Sequence, residues 1–328
     1  MNKKRFIILT LAFLLLSAML LSGCTQGGTD NKISIVCTVF PQYDWVRQIL
    51  GDKRGDMEVT LLLDNKIDLH NYQPAVNDIV KISTCDLFIY VGGESDLWVE
   101  AALKEAVNQD MIVINLISLL GDAAKIEEVI EGMESDHENE DEEDDHEEEA
   151  AFDEHVWLSL KNAQTFCVAI ADALSALNAD NTEVYQNNLT MYLQNLATLD
   201  AEYQAAVSTA PTKTLLFGDR FPFRYLVDDY GLDYYAAFEG CSAETEAGFE
   251  TIIFLAGKVD ELRLRNIVVT ESGDQSIAKT IRDNTAEKNQ QILVLNAIQS
   301  VASDDVTKGM TYLSLMESNL SVLREALQ

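Results

Sequence analysis

Only four histidines occur in the 328 residues, His70, His137, His146 and His155, so their positions are informative. A neutral imidazole offers a nitrogen lone pair near physiological pH and is a common ligand for divalent transition metals. His70 ends the run Asp64-Asn65-Lys66-Ile67-Asp68-Leu69-His70, just past an apolar stretch that closes at Leu63. Loops at the carboxyl ends of parallel strands are where open α/β sheets bind ligands. His155 stands between an acidic tract and the apolar Val156-Trp157-Leu158. Taken singly, His70 reads equally well as a solvated loop residue, and His155 as a helix-capping or half-buried one. Enzymatic constellations are absent from the sequence: there is no His-Glu-x-x-His helix, no Gly-x-Ser-x-Gly elbow and no paired catalytic carboxylate motif. The expectation is a binding protein, not an enzyme.

The formal charge of −32 disfavours nucleic acid and anionic lipid as partners, because phosphates are repelled, and suits a protein that handles cations. Much of it is concentrated in residues 134–149, where 12 of 16 residues are Asp or Glu and His137 and His146 are interspersed. No core forms from that composition, so the tract reads as a solvated loop. It is either a solubilising insert or a weak, fast collector of cations beside a binding cleft.

The elements that must position these groups follow from periodicity. Short β-branched runs at 33–39, 59–63, 86–91 and 111–116 alternate with amphipathic helices at 42–50, 75–83 and 97–107. A second series has strands at 214–217, 233–237, 266–270 and 292–295, with helices at 221–230, 243–262, 274–285 and 305–326. That alternation predicts two α/β lobes with mostly parallel sheets. Helices at 161–176 and 183–207 lie between them. The second contains neither Pro nor Gly, spans nearly 40 Å at ~1.5 Å per residue, and stops before Pro211. It reads as a rigid bridge. The resulting division is an N-terminal lobe over 33–180, a linking helix over 181–210 and a C-terminal lobe over 211–328. Trp45, Trp98 and Trp157 fall within structured segments and read as core residues.

Residues 1–23 read as a targeting segment, with Lys3, Lys4 and Arg5 before an apolar run. Leu21-Ser22-Gly23-Cys24 resembles the lipobox of bacterial lipoproteins, which implies diacylation of Cys24 and a short tether over 24–32. Cleavage there would take the formal charge from −32 to −35. Cys37, Cys85, Cys167 and Cys241 match no zinc-ribbon spacing. Three lie in apolar stretches, and Cys241 is the more exposed candidate.

Three further groups of residues carry a family resemblance. The first is Asp68-Leu69-His70-Asn71-Tyr72-Gln73-Pro74 with the following Asp78-Ile79-Val80-Lys81-Ile82-Ser83. The second is Asp153-Glu154-His155-Val156-Trp157-Leu158-Ser159. The third pairs the opening Cys37-Thr38-Val39-Phe40-Pro41 with the closing Thr311-Tyr312-Leu313-Ser314-Leu315-Met316-Glu317-Ser318-Asn319. Together they resemble the cluster A-I solute-binding proteins of zinc and manganese ABC transporters, a family that includes streptococcal "adhesin" lipoproteins. The resemblance implies two lobes bridged by one rigid helix, with a divalent metal in the cleft and His70 and His155 as ligands. It also implies an ABC permease partner and a monomer lipid-anchored on the extracellular face of the cell membrane. Zn2+ is favoured, because a His- and acid-rich loop in this position marks the family's zinc branch. Mn2+ is the alternative cargo, and surface adhesion an alternative activity.

The C-terminal lobe departs from the family pattern. Arg220 occupies the slot of a His or Glu ligand, and a guanidinium has no lone pair to give. Asp219 beside it could supply an oxygen, with Arg220 pairing to a carboxylate instead. The family's last acidic ligand is missing, with Asn296 or Gln299 near its place. Glu271 ends a strand and points at the cleft by the strand-end rule, and Glu244 and Glu246 follow Cys241. The expected cleft carboxylates are therefore Asp219, Glu271, then Glu244 or Glu246, each of which reads as readily as a helix cap or salt-bridge partner.

Overall fold

Eight short strands fall into two parallel sheets, as apolar runs separated by helices require. The computed structural model describes residues 32–64, 67–134, 151–242 and 246–328. In the first sheet β1 (Ile33–Cys37), β2 (Met57–Leu61), β3 (Leu87–Tyr90) and β4 (Ile112–Asn115) lie in the order β2-β1-β3-β4. In the second, β5 (Thr214–Phe221), β6 (Asp233–Glu239), β7 (Asn266–Val269) and β8 (Gln291–Val294) lie in the order β6-β5-β7-β8. The two halves thus share one topology, and every strand pair is parallel. The middle strands are apolar on both faces; β7 is buried throughout.

The bridge is the helix Thr182–Thr209, 28 residues long. It is bonded to both halves. Asn188 Nδ2 donates to Ile49 O at 2.9 Å on one side. On the other, Tyr203 Oη donates to Met316 O at 2.7 Å and Tyr230 Oη to Asp200 Oδ1 at 2.9 Å. Its buried face, including Leu189, Leu196, Tyr203 and Val207, joins a single apolar cluster that extends from Ile35 to Leu327. Side chains of both lobes share that core, which resists a wide hinge motion. Further cross-links reinforce it: Tyr312 N donates to Asp44 Oδ2 at 2.9 Å, and Ser303 donates to Asp64 through its backbone (2.8 Å) and hydroxyl (2.6 Å). A second cluster, around Leu216, Ile252 and Ile281, backs the outer face of the second sheet.

Several boundaries differ from the sequence-based ones for local reasons. The terminal helix expected over 305–326 is two helices, Ser303–Thr307 and Tyr312–Ala326, because Thr311 caps the second with its side chain. The helix expected from 243 begins at Phe249. The strand expected over 214–217 runs on to Phe221, after a register shift between Phe217 and Arg220. Trp45 and Trp157 are fully buried, whereas Trp98 is only partly covered.

At the carboxyl end of β3 the buried Asp96 closes the turn, its Oδ2 accepting from Val91 N (3.0 Å) and Gly92 N (2.9 Å). Its other oxygen is buried without a hydrogen-bond partner. Burial raises the carboxyl to about 7 from an ordinary 3.8, with nearby Glu154 adding to the rise. The folded protein therefore holds this proton where the unfolded chain has released it. Between about pH 4 and 7, folding stability falls as pH rises through this group, by no more than a few kcal/mol. Urea titrations of wild type and Asp96→Asn at pH 4 and pH 7 check this: the variant gains relative stability at pH 7 and none at pH 4.

Candidate metal centre

The two histidines singled out in the sequence meet. His70 sits in the short turn Leu69–Asn71 that follows β2, with Asp68 capping it: His70 N donates to Asp68 Oδ1 at 3.1 Å. His155 precedes the turn Val156–Leu158, which leads into the helix Leu160–Leu177 capped by Ser159. That turn is held in register across the acidic tract by an antiparallel bridge between Ile126 and Phe152 and by Asp153 N donating to Lys125 O at 2.9 Å. The second lobe holds this turn at Trp157, whose Nε1 donates to Ala297 O at 2.8 Å and whose carbonyl accepts from Tyr312 Oη at 2.6 Å.

The Nε2 atoms of His70 and His155 are 3.3 Å apart. Each ring has a carboxylate behind it. His155 Nδ1 lies 3.1 Å from Asp153 Oδ1, which also accepts from His155 N at 2.8 Å. His70 Nδ1 lies 3.0 Å from Ser95 Oγ and 3.3 Å from Glu154 Oε2. Glu154 is itself fixed by Ser95 N, which donates to Oε1 at 2.7 Å. This approach is open because residue 93 is Gly; a Cβ there would stand 2.5 Å from Glu154 Oε1. Asp153 behind His155 Nδ1, and Ser95 with Glu154 behind His70 Nδ1, suit the tautomer that keeps each ring proton on Nδ1 and turns an Nε2 lone pair toward the gap. In that tautomer both Nε2 lone pairs face one gap, which a cation can fill. Tetrahedral zinc with Zn–N of about 2.0–2.1 Å separates its ligands by roughly 3.3–3.4 Å, so the spacing fits such an ion.

The electrostatics point the same way. Full burial would lower the His155 imidazole, but Asp153, with Glu127 and Glu154, outweighs it and leaves the group above its ordinary value. Burial would raise the Glu154 carboxyl, but His70 and Ser95 hold it below the usual range. A cavity of about 200 Å³ opens beside the rings, lined by His70, Glu94, Ser95, Glu127, Glu154 and Cys241 among others.

Among the described residues, the ligand atoms that converge belong to His70, His155 and Cys241, all within 4.8 Å of one another. Cys241 follows β6, partly buried. The sequence marked it only as the more exposed of the cysteines, not as a companion of the two histidines. The remaining cysteines, Cys37, Cys85 and Cys167, are buried and free.

Two expected carboxylates lie outside this group because backbone donors occupy them. Asp219 Oδ2 accepts from Thr270 N (2.9 Å) and Thr270 Oγ1 (2.7 Å), and Oδ1 from Arg220 N (2.8 Å). It ties β5 to the end of β7. Glu271 accepts from Ala297 N at 2.7 Å and from Gln299 N at 3.3 Å. It shapes the loop that receives Trp157. Asn296 Oδ1 accepts from Ile298 N. Glu246 is exposed and lines a separate cavity with Asp219 and Arg220. Glu244, His137, His146 and Cys24 lie outside the described residues. Arg220 pairs with a carboxylate, as its chemistry requires: Nη2 donates to Asp68 Oδ2 at 2.8 Å, and Nη1 to Ser242 O at 3.2 Å. One guanidinium thus pins the His70 turn of the first lobe and the Cys241 turn of the second.

Residues 35–326 match the family model described as zinc-uptake complex component A, periplasmic. The chain belongs to this family. It is 30% identical over 323 residues to the high-affinity zinc uptake system protein ZnuA of Bacillus subtilis, covering 98% of this chain and 96% of that protein. It is also 30% identical over 311 residues to the zinc-binding lipoprotein AdcA of Streptococcus pneumoniae, covering 94% of this chain. The chain spans only 59% of the length of AdcA. The zinc-bound ZnuA-like domain of S. pneumoniae AdcA superposes with a TM-score of 0.69 at 28% identity, covering 90% of this chain and 99% of that domain. The family's two-lobe α/β fold with a long connecting helix is the fold found here.

The carboxylates behind the rings set a prediction. Asp153→Asn and Glu154→Gln leave both imidazoles in place but weaken their orientation, so each lowers zinc affinity by roughly 10–100-fold. Competition titration against a zinc chelator measures this. Unchanged affinity in both variants would contradict the assigned support role.

Proposed function

We propose that this protein is a solute-binding lipoprotein that captures zinc between its lobes and delivers it to an ABC importer. The observation that carries the reading is the pair of buried, carboxylate-backed Nε2 atoms 3.3 Å apart at the meeting of the two lobes. Family membership and the zinc-binding names of the relatives support the cargo. Two imidazoles suit zinc, whereas manganese favours a site richer in oxygen. Here the second-lobe carboxylates expected from the sequence, Asp219 and Glu271, are already held by backbone N–H groups.

The lobe boundaries at 180 and 211 belong to the same reading, as do a diacyl anchor on Cys24, residence on the outer face of the membrane as a monomer, and a permease partner. No helix among the described residues is long and apolar enough to cross a membrane, so an acyl anchor would supply the attachment. The acidic tract fits a collector role. It leaves the described chain at Glu134, which is bonded to Ala237 O, and rejoins it at Ala151, which lines the cavity beside His70.

The test is calorimetric titration of the mature protein, with and without residues 135–150, using zinc and then manganese. One zinc bound per chain in both forms is the expected result, with manganese much weaker. In the tract-deleted form, His70→Ala combined with His155→Ala abolishes tight binding. Tight zinc binding that survived the double substitution would overturn the proposal.

A further inference from the structure

Resting on that reading, we infer that Cys241 is the second lobe's ligand, so that zinc is held by two imidazoles and one thiolate across the lobe boundary. The slot that would carry a nitrogen or oxygen donor from β5 holds Arg220, which is committed to Asp68 and Ser242. Asp219 and Glu271 are committed to backbone amides. What the second lobe does bring to the imidazoles is the turn after β6. Gly240 lets it approach: a Cβ at that position would lie 2.8 Å from Phe221 O and 3.3 Å from His155 Cε1. Glu127 Oε1 then accepts Cys241 N at 2.9 Å and fixes the turn. Arg220 holds the same turn from the other side through Ser242 O. The result is the group of three ligand atoms, all within 4.8 Å, that two lobes jointly supply.

The donor set has consequences for selectivity. Tetrahedral zinc with nitrogen and sulfur ligands bonds sulfur at about 2.3 Å, and thiolate is a poor partner for manganese. On binding, a zinc–sulfur bond replaces the S–H bond, and the thiol proton passes to solvent. The three carboxyl groups of Glu94, Glu127 and Glu154 line the adjoining cavity and favour arrival of a dication there. Cys37, Cys85 and Cys167 are buried elsewhere in the core and do not compete.

Cobalt substitution reads the ligand directly. The mature protein loaded with cobalt(II) is expected to show a thiolate-to-cobalt charge-transfer absorption that Cys241→Ser removes. In the same variant zinc affinity falls by roughly 100-fold or more, the loss of a ligand exceeding the loss of an outer partner. A second readout is alkylation mapped by mass spectrometry: zinc protects Cys241 in the wild type but not in His70→Ala. If wild-type protein binds zinc tightly, shows no charge-transfer band with cobalt, and keeps its affinity in Cys241→Ser, the thiolate assignment is overturned while the two-histidine site stands. If the wild type binds neither metal, the receptor reading itself fails and this assignment with it.

Discussion

Two imidazole Nε2 atoms held 3.3 Å apart are the constraint around which this molecule is organised. For both to offer a lone pair to one cation, each ring must be kept from turning away and its proton kept on Nδ1. The protein does so by placing a carboxylate behind each Nδ1 and by burying the second ring completely. Asp153 and Glu154 are adjacent in sequence, yet they serve different rings, because the turn before Val156 directs one carboxylate inward to His155 and the other across to His70. A three-residue motif thereby supplies one imidazole and the carboxylates behind both.

Rigidity of the frame follows from the same need. The first ring comes from the carboxyl end of β2 and the second from the far side of the acidic tract, 85 residues later. The frame holds their separation through a shared apolar core, a helix bonded to both lobes, and the Arg220–Asp68 pair at the cleft. Arg220 shows how a departure from a family pattern can be compensated. A guanidinium cannot ligate a cation, but it can fasten the loops that carry candidate ligands. In this chain it bonds the turn of His70 and the turn of Cys241 at once.

The sequence made much of this legible, and the failures have physical causes. Parallel sheets and the bridging helix could be read because periodicity and the absence of Pro and Gly over 183–207 depend on local chemistry. His70 and His155 stood out because histidine is scarce and one of them lies at a strand end. Strand-end reasoning also selected Asp219 and Glu271, whose carboxylates accept backbone N–H groups in this structure. The carboxyl end of a strand presents free backbone N–H groups from the following loops, and a carboxylate placed there satisfies them before it satisfies a metal. Cys241 stood out in the sequence only as the more exposed cysteine, not as a neighbour of the histidines. A lone cysteine beside a glycine carries no spacing signal, and its value depends on a contact between segments 86 residues apart.

If the two rings form one site, a single ion belongs between them. Anomalous diffraction from zinc-loaded crystals, collected on both sides of the zinc absorption edge, tests it most directly. One strong peak is expected at about 2.0–2.1 Å from Nε2 of both His70 and His155, with the lobes in nearly the same relative position as in metal-free crystals. Zinc density confined to surface carboxylates, with the two rings turned apart, would contradict it.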